Sequence, residues 1–371
     1  MRIVAAPDSF KESMTARQAA LAMERGAHAV LPEAEVASVP MSDGGEGFVE
    51  AVASAWGARL VEVDTVDALG RPIRVRYGLD AGRAVMDVAS CAGLELVAPA
   101  DRDVMASTTA GLGLVIRHAL SRGARHLLLG IGGSATNDCG MGMLAALGAR
   151  LEDSGGREVA PACPSQLARV VRIDVSGLDP ALADTDLEVA CDVTNPLTGP
   201  YGATAVFGPQ KGVRADQVGQ LDALLGHLAQ VSGHQAVAQE AGAGAAGGLG
   251  FALRAFLGVR LVPGTELVAR AVGLEEAVKG ADLVLTGEGS VDAQTAAGKT
   301  PAGVAVLARR AGVPCVVFAG RIGPGASALE ELGARVVPIV DEEVAVEQAL
   351  REGPRNLARA VARYLEGTAQ S

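Results

Sequence analysis

At both ends of this chain, short runs of Val, Ile and Leu alternate with longer segments rich in Ala, Leu and Arg that have a helical period. Strands and helices taken in turn are the mark of a largely parallel α/β sheet. The candidate core strands are residues 3–6, 35–39, 282–286, 314–319 and 335–340. Most lead through a Gly-, Ser- or Asp-rich loop into a helix, such as 16–30, 301–311 or 342–351. Between the two front units and the three back units lies a stretch of different texture. Residues 60–79 alternate apolar and polar side chains around Gly70-Arg71-Pro72, and 83–88 continue in the same style, as antiparallel hairpins do. A parallel sheet with two units before such a stretch and three after it implies an inserted second α/β domain. The expected division is 1–61 plus 279–371 for the interrupted domain and 62–278 for the insertion, with the active site in the cleft between them.

Composition narrows the ligands. With 371 residues, 49% hydrophobic and 20% charged, the chain suits a globular two-domain protein. A net charge of −11 disfavours a phosphate-backbone footprint, and six Phe, three Tyr and one Trp are too few for base-stacking platforms, so no nucleic-acid partner is expected. The opening MRIVAAPDSFKES has neither a basic n-region nor an apolar h-region, and no uninterrupted apolar run reaches membrane-spanning length. A cytoplasmic protein with no membrane partner is therefore expected. Cys91, Cys139, Cys163, Cys191 and Cys315 are dispersed without CxxC spacing, which reads as small buried hydrophobes with reduced thiols. A homodimer is entertained as the assembly, although no residue specifies it.

The most informative stretch is LLLGIGGSATNDCGMG, residues 127–142: a strand, a tight loop and a helix start. Gly132, Gly133, Ser134, Ala135, Thr136 and Asn137 would let the backbone approach a phosphate, with a helix N-terminus behind them to donate N–H groups. An ordinary tight turn is the competing reading. Pro7-Asp8-Ser9-Phe10-Lys11 follows the first strand, and Met41-Ser42-Asp43-Gly44-Gly45-Glu46-Gly47 the second. Thr286 to Asp292 (TGEGSVD) follows the third, with Gln294, Thr295 and Lys299 beyond. In a parallel sheet all three loops share the carboxyl edge, where open α/β sheets bind ligands. Each has a bland alternative: Asp8 and Ser9 could cap the helix opening at Thr15, Asp43 and Glu46 could serve a turn and a first helical turn, and Lys11 and Lys299 could be solvated surface residues. In the insertion, Asp192 follows the probable strand 187–190 within CDVTNPLTGP. A base or metal ligand would stand there, and so would an Asx-turn before Pro196. Lys211 sits in FGPQKG, and the glycines of 243–250, Gly247 and Gly248 among them, either close over a ligand or admit tight helix packing.

Taken together, APDSFK (6–11), PMSDGGEG (40–47), GIGGSATND (130–138), CDVTNPLTGPYGA (191–203), FGPQKG (207–212), GAAGGLG (244–250) and LTGEGSVDAQTAAGKTPAGVA (285–305) resemble the class I bacterial glycerate kinases, in family order and across nearly the whole chain. The resemblance implies ATP-dependent phosphorylation of D-glycerate, commonly at the 2-hydroxyl, by a protein whose Rossmann-like domain is interrupted by a second α/β domain. Cys139 departs from the small residue expected there, Val213 replaces Ala, and the element at 107–113 lacks the family's acid.

Phosphoryl transfer needs positioned phosphates, a divalent cation and a base near the acceptor hydroxyl. The 132–137 loop, with Gly247 and Gly248, is the expected nucleotide site. Asp192, Glu288 and Asp292 are the carboxylates for Mg²⁺. Asp192 or Asp43 is the expected base, with Lys11 in the catalytic set. Asp8, Ser9, Lys11, Lys211, Lys299 and Arg321 are the expected glycerate contacts, the cations neutralising its carboxylate. A nicotinamide dehydrogenase is disfavoured because Ala5-Ala6-Pro7-Asp8-Ser9 has no glycine after the first strand. A kinase of another small sugar acid and a non-catalytic anion- or nucleotide-binding regulator are the remaining alternatives.

Overall fold

The structure is a computed structural model and describes residues 1–296, 298–340 and 344–369. The chain divides into two compact units, one made of Met1–Trp56 and Pro263–Ser371 and the other of Gly57–Val262. The strands in chain order are β1 (Arg2–Ala5), β2 (Glu35–Ser38), β3 (Arg59–Val66), β4 (Pro72–Asp80), β5 (Arg83–Asp87), β6 (His126–Gly130), β7 (Arg150–Glu152), β8 (Arg172–Asp174), β9 (Asp186–Ala190), β10 (Leu261–Val262), β11 (Leu283–Val291), β12 (Cys315–Ile322) and β13 (Ala334–Pro338).

The discontinuous unit is an all-parallel sheet in the order β13-β12-β11-β1-β2. From β1 the chain steps one way to β2, and after the insertion it steps the other way through β11, β12 and β13. The strand order therefore reverses at the β1/β11 boundary, the place where such sheets open a crevice. Helix Ala16–Val30 begins at Thr15, whose side chain accepts from Gln18 N while the Gln18 side chain accepts from Thr15 N. That capping box, with Ala19, Ala20, Met23 and Ala27 on one face, fixes both the start and the buried side. The face packs with Leu357, Val361 and Leu365 of helix Gly353–Ala369 in the same core. Each large aliphatic side chain removed from water there contributes on the order of 1.5–3 kcal/mol.

Three expectations need correction. The second domain boundary lies at 262/263, not 278/279, because helix Gly264–Ala271 packs on helix Phe48–Trp56, with Trp56 Nε1 donating to Ala271 O at 3.1 Å. The first lies at 56/57, not 61/62, since residues 59–61 already pair in the β3–β4 ladder. Residues 286–291, expected as a loop, continue β11, with Glu288 opposite Ala319 and Ser290 opposite Arg321. Of the helix expected at 342–351, residues 342 and 343 lie outside the described residues, and the described helix is Val346–Arg351.

The contiguous unit carries a mixed sheet in the order β10-β9-β6-β5-β4-β3, with β5, β6, β9 and β10 parallel and the β3-β4-β5 meander antiparallel. The β3–β4 turn is held by Asp67 Oδ1, which accepts from Leu69 N and Arg71 N at 2.8 and 2.9 Å. A separate pair, β7 and β8, lies outside this sheet. An apolar cluster underlies the unit, including Tyr77, Leu112, Ile116, Leu127, Leu129 and Phe251.

Candidate active site

In the discontinuous unit the parallel ladder runs on past β1: Ala6 N donates to Leu285 O, Asp8 N to Gly287 O and Met41 N to Pro7 O. These bonds pin the loop after β1 between its neighbours and set Asp8 at the switch point. Asp8 is 7% exposed and accepts from Ser9 N at 2.6 Å through Oδ1 and from Thr300 Oγ1 at 2.5 Å through Oδ2. Burial, then the neighbouring charge of Asp43 and more weakly that of Glu288, push its carboxyl from 3.8 up to about 7, against the lowering effect of the two hydrogen bonds. The capping alternative for Asp8 and Ser9 does not hold, since Thr15 caps that helix.

Glu288 is buried, accepts a short hydrogen bond from Thr295 Oγ1, and is raised mainly by burial; Asp43 and Asp292 add to the rise while Lys299 opposes it. Asp43 is half-buried and its Oδ1 accepts from Gly45 N at 3.1 Å, so the turn role is real and leaves Oδ2 for other work. Asp292 Oδ1 caps helix Ala293–Ala296 through Gln294 N at 2.8 Å. Lys299 is half-buried at the start of helix Thr300–Arg310, whereas Lys11 and Arg321 are exposed. Asp43 and Glu288 thus act on Asp8, and Asp43, Asp292 and Lys299 on Glu288, which gathers the five groups at one edge of the sheet. Thr300 is a partner the sequence reading did not single out: as the first residue of an ordinary-looking helix it carries no signal of its own.

In the contiguous unit, Asp87 pairs opposite Gly130 and Gly130 opposite Ala190, so the loops after β5, β6 and β9 leave the same edge. Gly132 and Gly133 are exposed there, with Gly133 at φ 71. The amides of Gly132, Gly133 and Ser134 have no partner among the described residues, and unpaired main-chain donors at a turn are of the kind an anion takes. Asp192 is exposed, two residues beyond the end of β9.

The rest of the loop turns inward. Ala135 N donates to Ala92 O and Asn137 N to Ser107 Oγ, and Ala135, Thr136 and Asn137 are buried. The expected free N-terminus of the following helix is not available. Asp138, fully buried, accepts from Thr109 N and Oγ1, Gly140 N and Gly142 N at 2.7–3.1 Å, and Thr109 Oγ1 in turn accepts from Met143 N. A carboxylate of the protein already fills the place a phosphate would take. The 107–113 element, which lacks the family's acid, supplies the Ser107 and Thr109 groups in this network. Asp138 was missed as a functional group, although an acid just ahead of a helix start is a recognisable capping signal.

Lys211, expected on the acceptor's carboxylate, is 2% exposed; its Nζ donates to Ser134 Oγ at 2.9 Å and Thr136 O at 2.8 Å. Gly247 and Gly248 pack against the loop from behind. Their φ values are 69° and 90°, and a Cβ on Gly247 would stand 2.0 Å from Thr136 O. Tight packing is the role the geometry shows for both. Cys139 has φ 57, which accounts for the small residue expected at that position.

Among the described residues, the one grouping of three metal-ligating side chains within 4.8 Å of one another is His126, Asp186 and Glu188. It lies at the amino ends of β6 and β9, the edge opposite these loops. Of the expected magnesium ligands, Asp192 belongs to the contiguous unit and Glu288 and Asp292 to the discontinuous one. The acids around Glu288 do not form such a grouping; Asp43, Glu288 and Asp292 offer the hard carboxylate oxygens that Mg²⁺ takes a few at a time. No described helix is long and apolar enough to cross a membrane.

The model of the glycerate kinase family matches residues 3–368. A protein named glycerate kinase from Bacillus subtilis (strain 168) is 45% identical, covering all of this chain and 96% of its own length. One named glycerate 2-kinase from Escherichia coli (strain K12) is 42% identical over 97% of this chain and 96% of its own. A crystal structure from Salmonella typhimurium LT2, of a provisionally named glycerate kinase 2, covers both chains fully with 44% identity and a TM-score of 0.89.

Proposed function

The chain belongs to the glycerate kinase family and is a kinase, and from that premise we propose that it transfers the γ-phosphoryl group of ATP to the 2-hydroxyl of D-glycerate with Mg²⁺. The observation that carries the reading is the carboxylate cluster at the β1/β11 switch point, where Asp8 is lifted to about 7 by burial and by Asp43 and Glu288. Such mutual repulsion is relieved by a divalent cation, and the donor set is one of hard oxygens. Glu288 and Asp43 each keep a carboxylate oxygen outside their hydrogen bonds and would hold the ion, with Asp292 beside them; bound there, Mg²⁺ would neutralise developing phosphate charge.

The amides of Gly132, Gly133 and Ser134 would position phosphate oxygens, since main-chain donors fixed by a strand end need no reorganisation during transfer. Asp192, at the same sheet edge, would take the acceptor's proton, with Asp43 the other candidate. Lys11, Lys299 and Arg321, together with Ser9, would bind the glycerate carboxylate and hydroxyls; of the three cations Lys299 is half-buried and its charge acts on Glu288. The test is incubation with Mg-ATP and D-glycerate followed by ³¹P NMR. A 2-phosphoglycerate resonance is expected. Formation of 3-phosphoglycerate would overturn the regiochemistry, and turnover only with another sugar acid would overturn the substrate.

A further inference from the structure

We propose that Lys211 is a positioning residue that shapes the 132–137 loop from beneath and supplies its affinity for anions, rather than a contact to the acceptor's carboxylate. The inference rests on reading that loop as the nucleotide-phosphate site. The lysine reaches across the fold to two atoms of one turn, Ser134 Oγ and Thr136 O, while being 2% exposed. At that burial it offers almost no surface to a substrate carboxylate entering from solvent.

Two features beside it point to a ligand. Thr136 Oγ1 and Asn137 Oδ1 are fully buried with no partner, and unpaired buried polar atoms are costly enough that such positions are usually completed by water or ligand; of the two, the Thr136 hydroxyl can donate to an anion, while Asn137 Oδ1 can only accept, as from a water. Two of the three ammonium N–H groups of Lys211 are used, on Ser134 Oγ and on the main-chain carbonyl of Thr136, which leaves it a third donor. In the same turn the amides of exposed Gly132 and Gly133 and of buried Ser134 are three more donors without a partner among the described residues.

The charged neighbourhood is sparse. Asp138 is the acid that acts on Lys211, and its carboxylate is saturated by four donors. Arg102 bonds the carbonyl of Gln210, adjacent in the chain, and the Cys139 thiol is pushed well above its ordinary range by burial. Burial lowers the lysine itself from 10.5 to about 7, with Asp138 acting in the opposite direction. An anion seated on the loop favours the ammonium form. Anion binding near neutral pH therefore takes up a proton, and affinity falls as pH rises above 7.

The experiment is calorimetric titration of the full chain with ATP from pH 7 to 9, in buffers of different ionisation enthalpy, for wild type, Lys211→Met and Ser134→Ala. Wild type should take up a proton on binding and lose affinity about tenfold or more across that range. Lys211→Met should bind more weakly at pH 7, take up no proton and show a flat profile, with KM for glycerate unchanged. Ser134→Ala, which removes a single tether, should bind a few-fold more weakly and keep the pH dependence; it serves as the probe if Lys211→Met does not fold, and a flat profile there would count against the proposal. A variant at Lys211 that binds ATP with wild-type affinity and pH profile, or one that raises KM for glycerate alone, would overturn it. If wild type binds no ATP at all, it is the reading of the loop that fails.

Discussion

Replacing Asp8 with Asn should stabilise the protein at alkaline pH while impairing its activity. The fold holds this carboxyl at about 7 instead of 3.8, chiefly by burial. A raised carboxyl means the folded chain binds more protons than the unfolded one between those values, so stability is lost as pH rises through the window. At about 1.4 kcal/mol for each unit of pKa, the ionised side chain burdens the fold by on the order of 4 kcal/mol at pH 8 and about 1 kcal/mol at pH 4.5. Asn can keep the bond from Thr300 Oγ1 but turns its amide toward Ser9 N–H, at a cost of about 1–2 kcal/mol. The variant should therefore be about 2–3 kcal/mol more stable than wild type at pH 8 and equal to it or slightly less stable at pH 4.5. Urea denaturation at both pH values, in magnesium-free buffer, measures the difference. Millimolar Mg²⁺ should shrink it at pH 8 by stabilising the wild-type carboxylates. A stability difference that is the same at both pH values would refute the electrostatic account of Asp8.

Asp192→Asn should lower kcat by about 10²-fold or more with the melting temperature almost unmoved, because the side chain is exposed beyond β9; wild-type turnover across the pH range would make it a turn residue and send the search for the base to Asp43. Asp138→Asn should lower stability, since an amide can replace the oxygen that serves Thr109 and Gly142 but opposes Gly140 N–H, and the loss should be smaller at pH 8 than at pH 5 because burial raises the native carboxyl; urea midpoints equal to wild type at both pH values would dispose of its capping role.

Local signals were legible where local forces decide. Helix Ala16–Val30 matches its expected span residue for residue because Thr15 and Gln18 close a capping box and the alanines keep one period. The β3–β4 hairpin was readable from its alternation and from Gly70-Arg71-Pro72. Non-local contacts were not. Glycines at 287 and 289 suggested a loop, yet pairing with β12 keeps those residues in the strand. Lys211 reads as a cation in a Gly/Pro-bounded loop, suited to the acceptor's carboxylate, and only the fold shows it buried and bonded to Ser134 and Thr136, more than 70 residues away in sequence. The helix behind the Gly loop looked like an anion site until Asp138 proved to occupy it. Asp8 was found by position, but its raised pKa depends on side chains from β11 and from the loop after β2.

The discontinuous sheet also sets a timetable for synthesis. β1 and β2 leave the ribosome as a two-stranded parallel pair with one side of β1 unmated, and its partner β11 follows only after about 240 further residues, roughly 12–50 s of elongation. The inserted unit is complete in sequence by Val262 and meets no such wait. Ile3, Val4 and Ala5, fully buried in the finished protein, share that wait with the face of helix Ala16–Val30 that packs on helix Gly353–Ala369, so the front of the nascent chain is the natural client for a holding chaperone.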